Sequence, residues 1–145
     1  MAQVTTLMDR TLNLRSGQLF TAVDDAANDS DKTLTVPAGQ TWEIQCLHVT
    51  LATSADLGNR RLAVVISDGT NTVWTQPGYV DTGDATTWYW VFAPYVRWDS
   101  DAVSVSTVPM PVPLLHAGWT IRVYDAAVIA VAADDLTVVL TGIAY

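Results

Sequence analysis

Leu34–Cys46 reads LTVPAGQTWEIQC, and Leu114–Asp125 reads LLHAGWTIRVYD. Each stretch sets an apolar run before Ala-Gly, follows it with a tryptophan and continues into side chains that alternate in polarity. Alternation with a period of two is the mark of a strand with one buried face. A glycine between two such runs supplies the positive φ of a tight turn. Pro37-Ala38-Gly39 and His116-Ala117-Gly118 therefore redirect the chain into a long strand, and Trp42 and Trp119 can each cover an open end of a core. The phrase is structural punctuation and carries no catalytic group.

Working outward, the same period recurs. In RRLAVVIS, Arg60 to Ser67, Leu62, Val64 and Ile66 share a face, and SDGTN turns it into TVWTQ as a hairpin. In TTWYWVF, Trp88, Trp90 and Phe92 alternate with Thr87, Tyr89 and Val91, and further on Val103 and Val105 supply a short apolar face. Ile121 and Val123 follow Trp119 on one side, and Leu136, Val138 and Leu140 repeat the pattern near the end. TWEIQCLHVTLAT breaks the rule, because Trp42, Ile44 and Cys46 share one side while Leu47, Val49 and Leu51 share the other. A β-bulge or a corner between two sheets produces such a switch. DAAVIAVAADD suits a short helix or a strand equally. Seven or eight short strands divided by Gly, Pro, Asp and Asn imply an all-β chain, an antiparallel β-sandwich of jelly-roll type.

The beginning of the chain differs. Val4, Leu7, Met8, Leu12 and Leu14 are scattered apolar residues, interrupted by Asp9, Arg10, Asn13 and Arg15, and an Asp/Asn/Ala/Ser run follows from Asp24 to Lys32. The expected organisation is an extended N-terminal arm and tether over residues 1–30 and a sandwich domain over 31–145. Gln18 to Val23 reads equally well as the first strand of the sandwich.

The 145 residues carry a formal charge of -8, with 7 Lys and Arg together. Phosphate binding depends on clustered cations, so nucleic acid is an unsuitable partner. Only 15% of residues are charged, against about 25% in an ordinary domain, while 50% are hydrophobic. Much neutral surface must remain, and surfaces of that kind face other proteins. No window offers the ~18 apolar residues of a spanning helix, and MAQVTTLMDR lacks the basic start and apolar centre of a signal peptide. A soluble chain with no membrane partner is expected.

Metal or nucleophilic chemistry finds little to work with. His48, His116, Glu43 and Cys46 have none of the spacing of a metal-binding strand pair. His48 faces away from Leu47 and Val49, toward solvent or an interface, and Cys46 is inert packing inside an apolar strand. Asp24, Asp25, Asp29 and Asp31 lack the Gly and the closing Glu of a calcium loop, which leaves a solvated acidic linker. No enzyme, no cofactor and no metal is the expectation.

The six tryptophans raise sugar stacking as an alternative. Trp42, Trp88, Trp90 and Trp119 fall on apolar strand faces and read as core, which leaves Trp74 and Trp98 for a binding surface, the latter flanked by Arg97 and Asp99. Trp and Arg are also favoured anchors of protein interfaces. Arg60 and Arg61 open a strand with side chains on opposite faces. One suits an acid of its own fold and the other a neighbouring chain. The candidate protein-interface residues are thus Val4, Leu7, Met8, Leu12, Leu14, Arg60, Arg61, Trp74, Arg97 and Trp98.

VPAGQTWEIQCLHVTLATSADLGNRRLAVVISDG, Val36 to Gly69, and AGWTIRVYDAAVIAVAADDLTVVLTGIAY, Ala117 to Tyr145, resemble segments of small virion proteins of tailed bacteriophages, with GNRRL, Gly58 to Leu62, the most characteristic part. The nearest likeness is to capsid decoration, or cement, proteins with a jelly-roll-like fold. The likeness covers about the last three quarters of the chain and is one of patterning. It implies a homotrimer, made in the host cytoplasm and seated on the capsid exterior, with the major capsid protein as partner. A head-tail joining, tail or fibre module, with glycan binding through tryptophan, is the alternative.

Overall fold

The computed structural model describes residues 17–100, 104–111, 114–129 and 133–145. Their strands are β1 (Gln18–Asp24), β2 (Asp31–Thr35), β3 (Thr41–Ala52), β4 (Arg60–Ser67), β5 (Thr72–Thr82), β6 (Thr87–Ala93), β7 (Asp99–Ser100), β8 (Val105–Pro109), β9 (Leu114–His116), β10 (Thr120–Asp125) and β11 (Asp135–Ala144). They form a seven-stranded sheet in the order β1-β11-β3-β6-β8-β7, with β9 also on β3, and a four-stranded sheet in the order β2-β10-β4-β5. The fold is an all-β, jelly-roll-like sandwich. Leu47, Val49, Leu51, Trp90, Phe92 and Leu140 of the large sheet meet Leu62, Val64, Ile66, Ile121 and Val123 of the small one in a buried core.

The repeated phrase marks two of the places where the chain changes sheet. β2 lies in the small sheet and β3 in the large one, whereas β9 lies in the large sheet and β10 in the small one. The strand before each corner pairs with the strand after the other: Thr35 stands opposite Thr120, and Thr41 opposite His116. Between them the Val36 N–H donates to the Trp119 carbonyl at 2.9 Å and the Gly118 N–H to the Val36 carbonyl at 3.0 Å. Gly39 and Gly118 have φ of 79° and 84°, in the region that favours glycine. The two corners are zipped together, so each closes the sandwich against the other.

The switch of apolar sides in β3 is a bulge. Thr141 stands opposite Cys46 and Gly142 opposite Ile44, leaving Gln45 as the extra residue. The β4–β5 hairpin is present, with Asp68 accepting from the Thr70 and Asn71 N–H groups at 2.8 and 2.6 Å. The antiparallel expectation has one exception, since β6 and β8 pair in parallel. The intervening segment contains β7, which pairs antiparallel to β8, and it is long enough for the crossover that a parallel pair needs. β8 turns Ser106 and Val108 inward and Val105 outward, opposite to the face read from sequence; Val103 lies outside the described residues.

Gln18–Val23 is the first strand of the sandwich. It runs in register with β11 from Gln18 opposite Ala144 to Asp24 opposite Val138. Phe20 packs on Trp42 with ring centroids 4.5 Å apart. In the run from Asp24 to Lys32, Asp25 to Asn28 are an exposed loop, and the far end of the run is anchored. Lys32 is buried, donates to the Ala26 carbonyl at 2.6 Å and lies 3.7 Å from Asp24 and 3.5 Å from Asp29. A buried ammonium must be compensated, so these carboxylates gather around it and fix the segment. The arm residues Val4, Leu7, Met8, Leu12 and Leu14 lie outside the described residues. DAAVIAVAADD begins as a turn, with the Asp125 carboxylate accepting from the Ala127 and Ile129 N–H groups at 2.9 and 3.2 Å.

Candidate functional site

The outer face of the large sheet is built by strand alternation. Residues that point away from the core align in rows across five strands. One row runs Val23, Val139, His48, Val91, Thr107, a second runs Thr137, Thr50, Tyr89, Val105, and a third contains Thr21, Thr141 and Cys46. Among the described residues of these five strands the rows hold no Asp, Glu, Lys or Arg. The first row continues into Asp99 of β7, paired with Thr107, and Glu43 beside Ile143 and Asp135 beside Ala52 stand at the other margins, so the uncharged area is the centre of the face. His48 is half-buried there, its ring 6.3 Å from that of Tyr89. Burial pushes the Cys46 thiol up, which keeps it in the unreactive protonated form.

The outer face of the small sheet is the opposite in character. Arg122 donates from Nε to Asp31 at 2.8 Å and lies 4.3 Å over the Tyr124 ring. Arg61 makes a two-pronged pair with Asp81, Nε to Oδ1 and Nη2 to Oδ2, both at 2.8 Å. The hydrogen bonds from Arg61 hold the Asp81 carboxyl below the usual carboxylate range.

A bulge in β5 places Asp81 there. Arg61 stands opposite Asp81 and Ala63 opposite Pro77, so Gly78, Tyr79 and Val80 face Leu62 alone. Gly78 is needed at this point because a Cβ would come within 2.8 Å of Trp90 Nε1 and 3.2 Å of Leu62 Cβ. Trp90 Nε1–H donates to the Gly78 carbonyl at 3.2 Å and anchors the bulge to the core. Tyr79 then takes φ of 64°, a strained value for a bulky residue, and is thrust outward at 58% exposure. Its ring meets Trp98 edge-on, with centroids 6.1 Å apart and planes at 77°. Arg61, Pro77, Tyr79 and Asp81 line a cleft of about 470 Å³, and Asn59, Arg61, Asp81, Ala126 and Ala127 line an adjoining one of about 380 Å³.

The sequence-derived interface residues separate accordingly. Arg61 and Trp98 are exposed and belong to this corner, and Arg97 is exposed on the same loop as Trp98. Trp74 is half-buried and packs against the core. Arg60 is corrected as well, for it is fully buried. It donates to Asp134 at 2.8 and 3.1 Å, to the Asp56 and Gly58 carbonyls at 2.6 Å each and to Ser54 Oγ at 3.0 Å. Burial raises the Asp134 pKa, but hydrogen bonds from Arg60 and Ser54 outweigh it and hold the carboxyl below its ordinary value. Both arginines therefore pair within their own fold. Tyr79 and Asp81 were not singled out from sequence, although Pro77-Gly78 inside a strand run is the signal of an edge bulge.

Among the described residues no three His, Cys, Asp or Glu side chains gather as metal ligands, and no helix is long and apolar enough to cross a membrane.

No protein-family model matches this sequence, and no curated protein matches it. Solved structures that resemble it include the Drosophila NLP core, described in connection with pentamer formation and histone binding, at 12% identity over 88% of this chain and 97% of the other, with a TM-score of 0.37. A secreted protein from Parabacteroides distasonis matches at 9% identity over 89% of this chain and 50% of its own, TM-score 0.45. A chain of the infectious bursal disease virus particle matches at 13% identity over 85% of this chain and 31% of its own, TM-score 0.36. This chain thus spans half of the Parabacteroides chain and about a third of the viral one.

Proposed function

We propose that this chain is a non-enzymatic structural protein of a tailed-phage virion, a decoration protein that seats the outer face of its large sheet, uncharged at its centre, on the exterior of an assembled capsid, in contact with the major capsid protein. That face is the observation that carries the reading. Burying an ion costs several kcal/mol unless it is paired, whereas rows of Val, Thr and Tyr can be covered without that penalty. The sequence likeness to cement proteins supports the same assignment, and a homotrimer on the capsid lattice is the expected form.

Such a protein acts by mass action, because a ligand of the assembled state alone raises the apparent stability of the assembly. Matching phage heads mixed with the purified chain should survive higher temperature or more chelator than bare heads. Val139→Glu, which sets a carboxylate in the middle of the face, should weaken head binding at least about tenfold while leaving the isolated chain folded. Heads that neither bind the chain nor gain stability would remove the proposal. The exposed Tyr79–Trp98 pair favours a second reading, a tail or fibre module that touches host glycans. Copy number in purified virions separates the two, since a decoration protein approaches the number of capsid subunits and a tail part is far rarer.

A further inference from the structure

The corner made by Tyr79, Trp98, Arg61 and Asp81 lies outside the uncharged face and is not used by the docking proposed above. We infer that it is a binding site for a neutral oligosaccharide. Tyr79 and Trp98 are 58% and 54% exposed and meet edge-on at 77°, so the pair offers aromatic surface to solvent beside the cleft that Tyr79 lines. An aromatic wall takes the C–H face of a pyranose ring, as it takes any apolar surface that must stay partly wet. The adjoining cleft of about 470 Å³ falls in the range of small-molecule sites, about 300–1,000 Å³.

The chemistry of the cleft selects a neutral polyol. Arg61 and Asp81 cancel each other's charge in their two-pronged pair, so neither an anion nor a cation meets a net opposite charge. A guanidinium has five N–H donors, of which that pair uses two, and the carboxylate keeps acceptor capacity. Donor and acceptor held side by side match vicinal hydroxyls, each of which both donates and accepts. Asn59 adds an amide of the same dual kind in the second cleft, which shares Arg61 and Asp81 as its wall. The shared wall favours a ligand of more than one sugar unit.

The site is also held in place before any ligand arrives. The Gly78 carbonyl is tied to the buried Trp90 indole, and Tyr79 is kept in a left-handed conformation that a flexible loop would relax. Little ordering entropy is then lost on binding. A rigid Tyr in a strained bulge does nothing for the core, from which it points away.

The test uses the isolated full chain, so its outcome does not depend on whether the chain binds capsids. Chitohexaose, cellohexaose and maltohexaose are titrated into the protein while the Trp98 indole N–H resonance is followed by NMR. Saturable shifts with at least one of them are expected, with affinity falling at least about tenfold in Trp98→Ala and in Tyr79→Asn, the loss of an anchor worth about 1.4 kcal/mol or more. Asn tolerates the left-handed backbone, and thermal melting of both variants should stay cooperative. Asp81→Asn should weaken binding with the fold intact. No saturation with any of the three up to solubility, or saturation untouched by both aromatic variants, overturns the proposal. It is overturned equally if the sugars leave Trp98 unmoved while purified capsid subunits shift it, for the corner is then a protein anchor.

Discussion

Arg60 and Arg61 are neighbours on one strand, and each holds an aspartate through Nε and a terminal nitrogen at comparable distances. Yet the Arg60–Asp134 pair is 0% exposed on both sides, while Arg61 and Asp81 are 62% and 36% exposed. The first lies among backbone carbonyls of the Asp56–Gly58 loop and ties that loop to the start of β11. The second stands in a cleft beside two exposed aromatic rings. Identical chemistry thus serves closure of the fold in one case and leaves donors and acceptors facing solvent in the other. Solvent screens the exposed pair, so breaking it should cost less than breaking the sealed one.

The largest effect should come from breaking the interior pair. Asp134→Ala leaves the Arg60 guanidinium buried and uncompensated, and a loss of about 3–5 kcal/mol is expected in urea unfolding. A loss under about 1 kcal/mol would mean that the interior and surface pairs are equivalent. Next in size is Gly78→Ala, whose Cβ would press on Trp90 and Leu62. Overpacking should cost about 1–3 kcal/mol and should disturb the Arg61–Asp81 register, visible as a weaker Tyr79–Trp98 contact in side-chain NMR.

Acid provides a smaller and graded test. A carboxyl whose pKa is lower in the folded chain contributes stability that is complete above the unfolded value and is lost as pH falls through the folded one. Asp134 and Asp81 are both held below the usual range, so the urea midpoint should hold steady from pH 7 to about 5 and decline below about pH 4. Asp134→Asn, compared across the same series, should flatten part of that decline. Asp81→Asn should leave most of it. The smallest effect belongs to Arg61→Ala, expected to change stability by less than about 1 kcal/mol with no loss of β signal, even as saccharide binding weakens.

The sequence was most legible where one face of a strand is buried. Leu62, Val64 and Ile66, Trp90 and Phe92, and Leu136, Val138 and Leu140 all face the core as their spacing predicts, because only one phase of a period-two pattern can be buried. The change of side within Thr41–Ala52 announced the bulge at Gln45. Less legible was the short β8, where Val105 looks outward while Ser106 is buried, since three or four residues do not fix a phase when pairing with β6 decides it. The acidic run from Asp24 to Asp31 read as a tether because its charges look solvated until Lys32 is found buried among them.

By itself the sequence determined the sandwich, the two Ala-Gly corners and the poverty of charge, since all three follow from local periodicity, turn chemistry and composition. It also carried both arginines of Arg60-Arg61 to opposite faces. The tertiary structure alone decided which of them is sealed, for that depends on Asp134, 74 residues away, arriving beneath the Ser54–Gly58 loop. It alone aligned Val23, Val139, His48, Val91 and Thr107 into one uncharged row from strands scattered along the chain. And it alone brought Trp98 edge-on to Tyr79. Contacts between separate elements set these juxtapositions, and the local periodicity of the sequence does not report them.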